Sequence, residues 1–341
     1  MSFLVIFERV KLKIISLSSM RNLSILLLIL FLPYNELFAQ LPQALEKNTI
    51  INNNIKSQVQ INFKFQDGEP SDEGFRNSFK EFDKNGNVVK EEYYRRGDIN
   101  QELSYKYNQN QNKTEYVNYN VEEDEVRFKQ TIDYNSQGEK IRENRFNGSE
   151  HRVIDYQYNS DGKRSKIIKK DRGGNLVQRR LFSYDGNVVN IRVLDGSGEL
   201  TSRIVNKYDN NGNLIEHLEF KPNGQRIKKI SYTFDDKNNK IEETKYQKGN
   251  FIYCKEFTYN DNDQLVEIQK EQPRDEIRIS KIFEYNNEGQ LSKEMWYDSM
   301  ADKYSHKKYE YDDRGIVKEA RVYYALYDYK VLYRYNYDFY N

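Results

Sequence analysis

Reactive residue types at fixed spacings are sparse in this chain. The three histidines, His151, His217 and His306, stand 66 and 89 residues apart. None has a second His or Cys at the spacing of about two to five residues that a zinc-ligand pair needs, so no metal is expected. Paired carboxylates are common, as in Glu242-Glu243, Asp312-Asp313 and Glu122-Glu123-Asp124. Among 53 acidic residues they read as solvated surface rather than as an acid–base couple. The stretches 209–212, 235–239 and 260–263 have the composition of calcium loops but lack the alternating carboxylates and the closing Glu. No serine sits in a nucleophile elbow. The lone cysteine, Cys254, excludes an intramolecular disulfide and reads as a small packed residue. The chain therefore reads as a non-enzyme, with no catalytic residue and no cofactor.

The remaining chemistry is aromatic. The last nineteen residues hold Tyr323, Tyr324, Tyr327, Tyr329, Tyr333, Tyr335, Tyr337, Phe339 and Tyr340. Adjacent aromatics such as Tyr323 and Tyr324 must point to opposite faces of a strand. Residues 323–341 read as a cap that closes a repeat array, or as a stacking platform for a sugar or a partner chain. The candidate ligand-binding residues are Tyr323, Tyr324, Tyr327, Tyr329 and the single tryptophan, Trp296.

These rings belong to a repeat. Eleven times an aromatic residue is followed by Asn or Asp, from Phe82-Asp83 to Tyr335-Asn336, at intervals of 24 to 27 residues. A period held that closely is the mark of a repeat architecture. In 134–141, 158–164, 208–216, 285–294 and 311–319 a glycine follows the Asx three residues on. That is a type I turn ending in a residue of positive φ, which joins two strands through a bulge. Asn238 and Asp263 stand in for the glycine in two units, Gln111 departs from the rule, and the turn at 184–188 is shorter. Before each turn two apolar residues flank a polar one, as in Tyr105-Lys106-Tyr107 and Tyr309-Glu310-Tyr311. This is the period of a half-buried strand. A weaker turn, such as Asn147-Gly148 or Lys248-Gly249, closes each unit.

Each repeat of about 25 residues is thus one antiparallel hairpin, with strands of normal length. The expected fold is all-β: about ten hairpin repeats over 57–341, with 57–65 as the first strand. A flat sheet of some twenty strands is not stable, since open sheets rarely pass about ten strands without curling. The expectation is a long, coiled or partly rolled sheet with its aromatic ladders turned inward.

Composition sets further bounds. The 54 basic and 53 acidic residues leave a net charge of +1, so no overall field points to nucleic acid. Met20-Arg21-Asn22, the apolar run Leu23–Leu32 and the segment 36–40 have the layout of a secretory signal peptide. Residues 1–39 are accordingly read as removed on export, with Met20 as an alternative start and 40–56 as a flexible lead-in. Without a cysteine near residue 40 the product is not a lipoprotein. A membrane-spanning barrel is disfavoured, because strands such as 166–170 and 307–311 carry too many charges for a lipid-facing band.

The motif Tyr208-Asp209-Asn210-Asn211-Gly212-Asn213-Leu214, and its counterparts at 285–291 and 311–317, resemble the YD repeats of rearrangement-hotspot (RHS) proteins and teneurins. The resemblance covers roughly 75–341. It implies a β-shell linked to carbohydrate binding, adhesion or the enclosure of a toxin. The chain departs from toxin-bearing members by its short length and by the absence of a toxin domain. The resulting expectation is an exported β-repeat protein (periplasmic, surface-bound or secreted) that binds a glycan or another cell-surface protein. The alternative is an accessory shell or immunity-type component of a contact-toxin system.

Overall fold

A computed structural model describes residues 41, 43, 45–273 and 277–341. The expected signal peptide, 1–39, lies outside the described residues. The hairpins form as the sequence dictates. At the first turn the Asp83 N–H donates to the Asn87 carbonyl (2.8 Å) and the Gly86 N–H to the Asp83 carbonyl (2.9 Å). The Asp83 carboxylate accepts the N–H groups of Asn85 and Asn87, both at 2.9 Å. The same pattern recurs at Asp209, whose carboxylate accepts from Asn211 and Asn213. Each such turn carries a register shift at the preceding aromatic, as between Thr258 and Tyr259. Gln111 is no exception in conformation: with φ of 61° it takes the left-handed place held by Gly212 (φ 84°) elsewhere. The shorter turn at 185–188 pairs Asp185 directly with Val188 around Gly186.

The expected coiled or partly rolled sheet is corrected. The closing strand, Tyr329–Phe339, pairs antiparallel with the first strand, Ile55–Gln66, in register from Ile55↔Phe339 to Lys64↔Val331. The first strand pairs on its other side with Phe75–Phe82. Every strand except the two-residue piece Glu69–Pro70 therefore has two neighbours, and the result is a closed 22-strand barrel. Closure follows from the edges: an open array leaves two long rows of unpaired N–H and C=O groups, and joining them satisfies both. Tyr335-Asn336 opens no turn, because it lies inside the closing strand. The residues expected to cap the array thus supply its seam.

The stretch read as a lead-in contains a short helix, Lys47–Asn52. Its Ile50 packs with Ile55, Phe82 and Ile316 at the mouth ringed by the Asx turns. Lys47 Nζ reaches Asn87 Oδ1 at 2.5 Å.

Candidate functional site: the inner wall

The strand alternation separates two faces. In the closing strand Arg334, Asn336 and Asp338 are exposed, while Tyr333, Tyr335 and Tyr337 between them are half-buried. A barrel's concave side is the less exposed one, so the tyrosines line the lumen and the charges face outward. The outward face is held by ion-pair triads across three strands. Glu115 lies 2.6 Å from Lys106 and 3.1 Å from Lys129, and Glu216 lies 2.7 Å from Lys207 and 3.2 Å from Lys229. Asp155 joins Arg142 and Lys170 in the same way.

The inner wall is built in tiers. Nearest the Asx turns, eight tyrosine hydroxyls donate to a carbonyl at the start of the preceding hairpin's second strand. Tyr107, Tyr134, Tyr158, Tyr184, Tyr259, Tyr285, Tyr311 and Tyr337 reach Val88, Lys113, Lys140, Arg164, Lys240, Leu265, Leu291 and Val317 at 2.7–3.1 Å. Tyr337, two residues beyond the Tyr335-Asn336 pair, is the ring that keeps the rung. This explains the strict aromatic period: the ring fills the tier and its hydroxyl satisfies a backbone acceptor.

In the next tier carboxylates collect tyrosine hydroxyls. Glu91 accepts from Tyr105 (2.9 Å), Glu143 from Tyr156 (2.9 Å), Glu243 from Tyr253 (2.6 Å) and Glu294 from Tyr309 (2.6 Å). Glu143 is fully buried, and Lys240 stands 2.7 Å from Glu243 with both side chains nearly excluded from solvent. Burial pushes the Glu243 carboxyl upward, but the Lys240 ammonium and the Tyr253 hydroxyl outweigh it and hold it below the ordinary range. Burial lowers the Lys240 ammonium as well, against the opposing pull of Glu243.

A ring of 22 strands has a perimeter of about 105 Å, so side chains from opposite walls meet only if it is flattened. Among the described residues the three buried hydrophobic clusters show no such meeting. One joins Phe257, Leu265, Ile268, Phe283 and Leu291, another Val189, Ile191, Val193 and Ile204, and the third packs Ile50 of the short helix against Ile55, Phe82 and Ile316. Each joins neighbouring strands, the third together with the short helix.

The structure brings some of the sequence-predicted site residues together. Trp296 faces inward opposite Lys281 and packs edge-on against Tyr324, ring centroids 6.1 Å apart. Tyr324 stacks on Tyr329 (6.4 Å) and shares a hydroxyl–hydroxyl bond of 2.9 Å with Tyr333. Tyr323 and Tyr327 stand apart from this group. Tyr323 points outward, against His306 and within 3.0 Å of the Asp328 carboxylate. Tyr327 lies in the last turn, 75 % exposed. Sequence reading missed Tyr333 as a member of the cluster, although its even spacing from Tyr335 and Tyr337 marks it as inward.

No family profile and no curated protein matches the chain. Among solved structures it is similar to the toxin complex TcdB2-TccC3, at 9% identity and a TM-score of 0.27, over 75% of this chain and 20% of that one. It is also similar to a porin-like protein from Bacteroides uniformis, at 10% identity and a TM-score of 0.30, over 84% of this chain and 97% of that one. A porin-like protein from Bacteroides vulgatus gives 11% identity and a TM-score of 0.24. The chain spans about a fifth of the length of the toxin chain. Superpositions this loose assign no function. Among the described residues no helix is long and apolar enough to cross a membrane, which says nothing about a barrel.

Proposed function

We propose that this barrel is an exported, non-enzymatic binding protein that stands in water and takes a carbohydrate at the aromatic end of its lumen. The observation that carries the reading is the inward cluster of Trp296, Tyr324, Tyr329 and Tyr333 at the mouth away from the Asx turns. Flat rings with hydroxyls at their edges offer both the stacking face and the hydrogen bonds that a pyranose uses. The outward charge triads argue against a lipid-facing wall, which needs a continuous apolar band.

A glycan array probed with the full chain, beside a Trp296→Ala/Tyr324→Ala variant, tests the reading. Selective retention that the variant loses supports it. If the folded protein retains no glycan, the reading fails, and capture of a polypeptide partner would put the toxin-shell alternative in its place. Partition of the unmodified protein into liposomes without detergent would overturn its placement in water.

A further inference from the structure

The inner wall is not electrically even, although the chain as a whole is nearly neutral. Lys255, Lys281 and Lys307 recur at intervals of 26 residues, each four positions before the turn-opening tyrosine of its repeat. Phe257 and Phe283, two positions further along their strands, are buried, so Lys255 and Lys281 face the lumen with them. Lys270 and Lys245 lie in the same band. Lys270 is directly opposite Lys255, and Lys245 is opposite Ile230 and Tyr253. Like charges directly opposite on one face destabilise a strand pair, and more so where water is partly excluded.

Carboxylates balance this band only in part. Glu243 stands directly opposite Lys255 and Glu294 directly opposite Lys307, but Glu243 is also bonded to Lys240 and Tyr253, and Glu294 also accepts from Tyr309. Neither Lys270 nor Lys281 makes an ion pair with a described residue, in contrast with the triads outside. Lys307 lies over the rings of Tyr309 (4.8 Å) and Tyr333 (5.3 Å). Burial lowers its ammonium pKa, Glu294 opposes this, and the like charge of Lys80 adds to the lowering. Trp296 sits in the middle of the band: Lys281 is directly opposite it, and Lys307 is diagonal, since Lys307 pairs with Glu294.

An aromatic ring flanked by under-compensated ammonium groups is suited to a ligand with both a stacking face and a negative charge. We infer that the carbohydrate taken by this lumen is anionic, a carboxylated oligosaccharide whose sugar ring stacks at Trp296 and whose carboxylates pair with Lys255, Lys270, Lys281 and Lys307. The inference rests on the carbohydrate reading above and adds the charge of the ligand. Neutral glycans would leave the like-charged lysines unrelieved, and a flexible acidic peptide offers no rigid face to the tryptophan.

The test is titration of the full chain with oligogalacturonate and with its methyl ester, which removes the charge and keeps the sugar. Polyglutamate serves as a charged control without sugar. A Lys255→Gln/Lys270→Gln/Lys281→Gln variant, checked for folding by its unfolding transition, is run in parallel. Binding of the acid and not of the ester, weakened roughly tenfold or more in the variant and by added salt, is the expected result. Equal binding of acid and ester with no effect of the variant would overturn the anionic inference and leave the carbohydrate reading standing. Equal binding of polyglutamate would replace the oligosaccharide by a polyanion of another kind. Absence of binding to either sugar, together with an empty glycan array, would remove both.

Discussion

The Gln58 side-chain amide donates to the Tyr337 hydroxyl at 2.8 Å, across 279 residues of sequence. That hydroxyl in turn donates to the Val317 carbonyl at 2.7 Å. A rung that elsewhere joins consecutive hairpins here joins the two ends of the chain, so the seam has the same construction as the rest of the wall. Beside it, Ser57 donates to the Asp338 carboxylate at 2.7 Å. Val59 and Asn336 lie directly opposite each other on the outward face of this seam. Opposed strand positions have the Cα separation that a disulfide requires. In a Cys254→Ser background, Val59→Cys with Asn336→Cys is expected to oxidise to an intramolecular bridge, seen by peptide mapping. A spiral with separated ends would yield none.

Tyrosine rungs give a second expectation. Phe82 and Phe234 occupy the turn-opening position without a hydroxyl, so the ring alone is compatible with the fold. Tyr311→Phe keeps the ring and removes the donor to the Leu291 carbonyl at 2.7 Å. The expected loss is about 1 kcal/mol, measured by urea unfolding, with glycan retention unchanged. A loss several times larger would mean that the rungs act cooperatively around the ring.

The Lys240–Glu243 pair is a stronger constraint. Its 2.7 Å contact is almost wholly enclosed, and Lys240 also lies 4.7 Å over the Phe257 ring. Removing one partner leaves a buried charge, at a cost of about 3–5 kcal/mol, whereas replacing both with apolar residues costs much less. Glu243→Leu is therefore expected to destabilise far more than Lys240→Met with Glu243→Leu. Equal losses in single and double variants, read as unfolding midpoints, would show that the pair carries no such coupling.

What the sequence disclosed was local. The Asx–Gly turn, the alternation before it and the inward aromatics are settled by neighbours a few residues apart, and the structure has them. Closure was not legible, because it depends on a small curvature added by every hairpin until Tyr329–Phe339 meets Ile55–Gln66. For the same reason Tyr335-Asn336 looked like one more turn: its dipeptide is right, but a neighbouring strand is available to pair with it. Of the candidate platform, Trp296, Tyr324 and Tyr329 share a face only once the register is fixed, and Tyr323 is turned away by the same alternation. The interval of 26 between Lys255, Lys281 and Lys307 was present in the sequence, yet it means little until all three are known to face one lumen.

Acid should expose the buried histidine. His217 is 1 % exposed, and its Nδ1 lies 2.8 Å from the Asn206 side-chain oxygen. Burial, with a smaller contribution from the Lys228 charge, lowers its pKa from 6.5 to about 4. The folded protein thus keeps this imidazole neutral where the unfolded chain would protonate it. The stability it contributes is fully present above pH 6.5 and is lost progressively as pH falls towards 4, by about 3 kcal/mol in total. His306 is shifted the same way, chiefly by burial, and adds to the slope. Glu143 and Glu243, held below the ordinary carboxylate range, add a loss that begins near the ordinary glutamate value and grows as the pH falls further. His217→Gln offers the Asn206 oxygen a donor that does not titrate. Urea unfolding at a series of pH values between 7 and 4 is expected to show a markedly shallower fall for the variant than for the unmodified chain. Parallel curves would mean that His217 is protonated within the folded barrel.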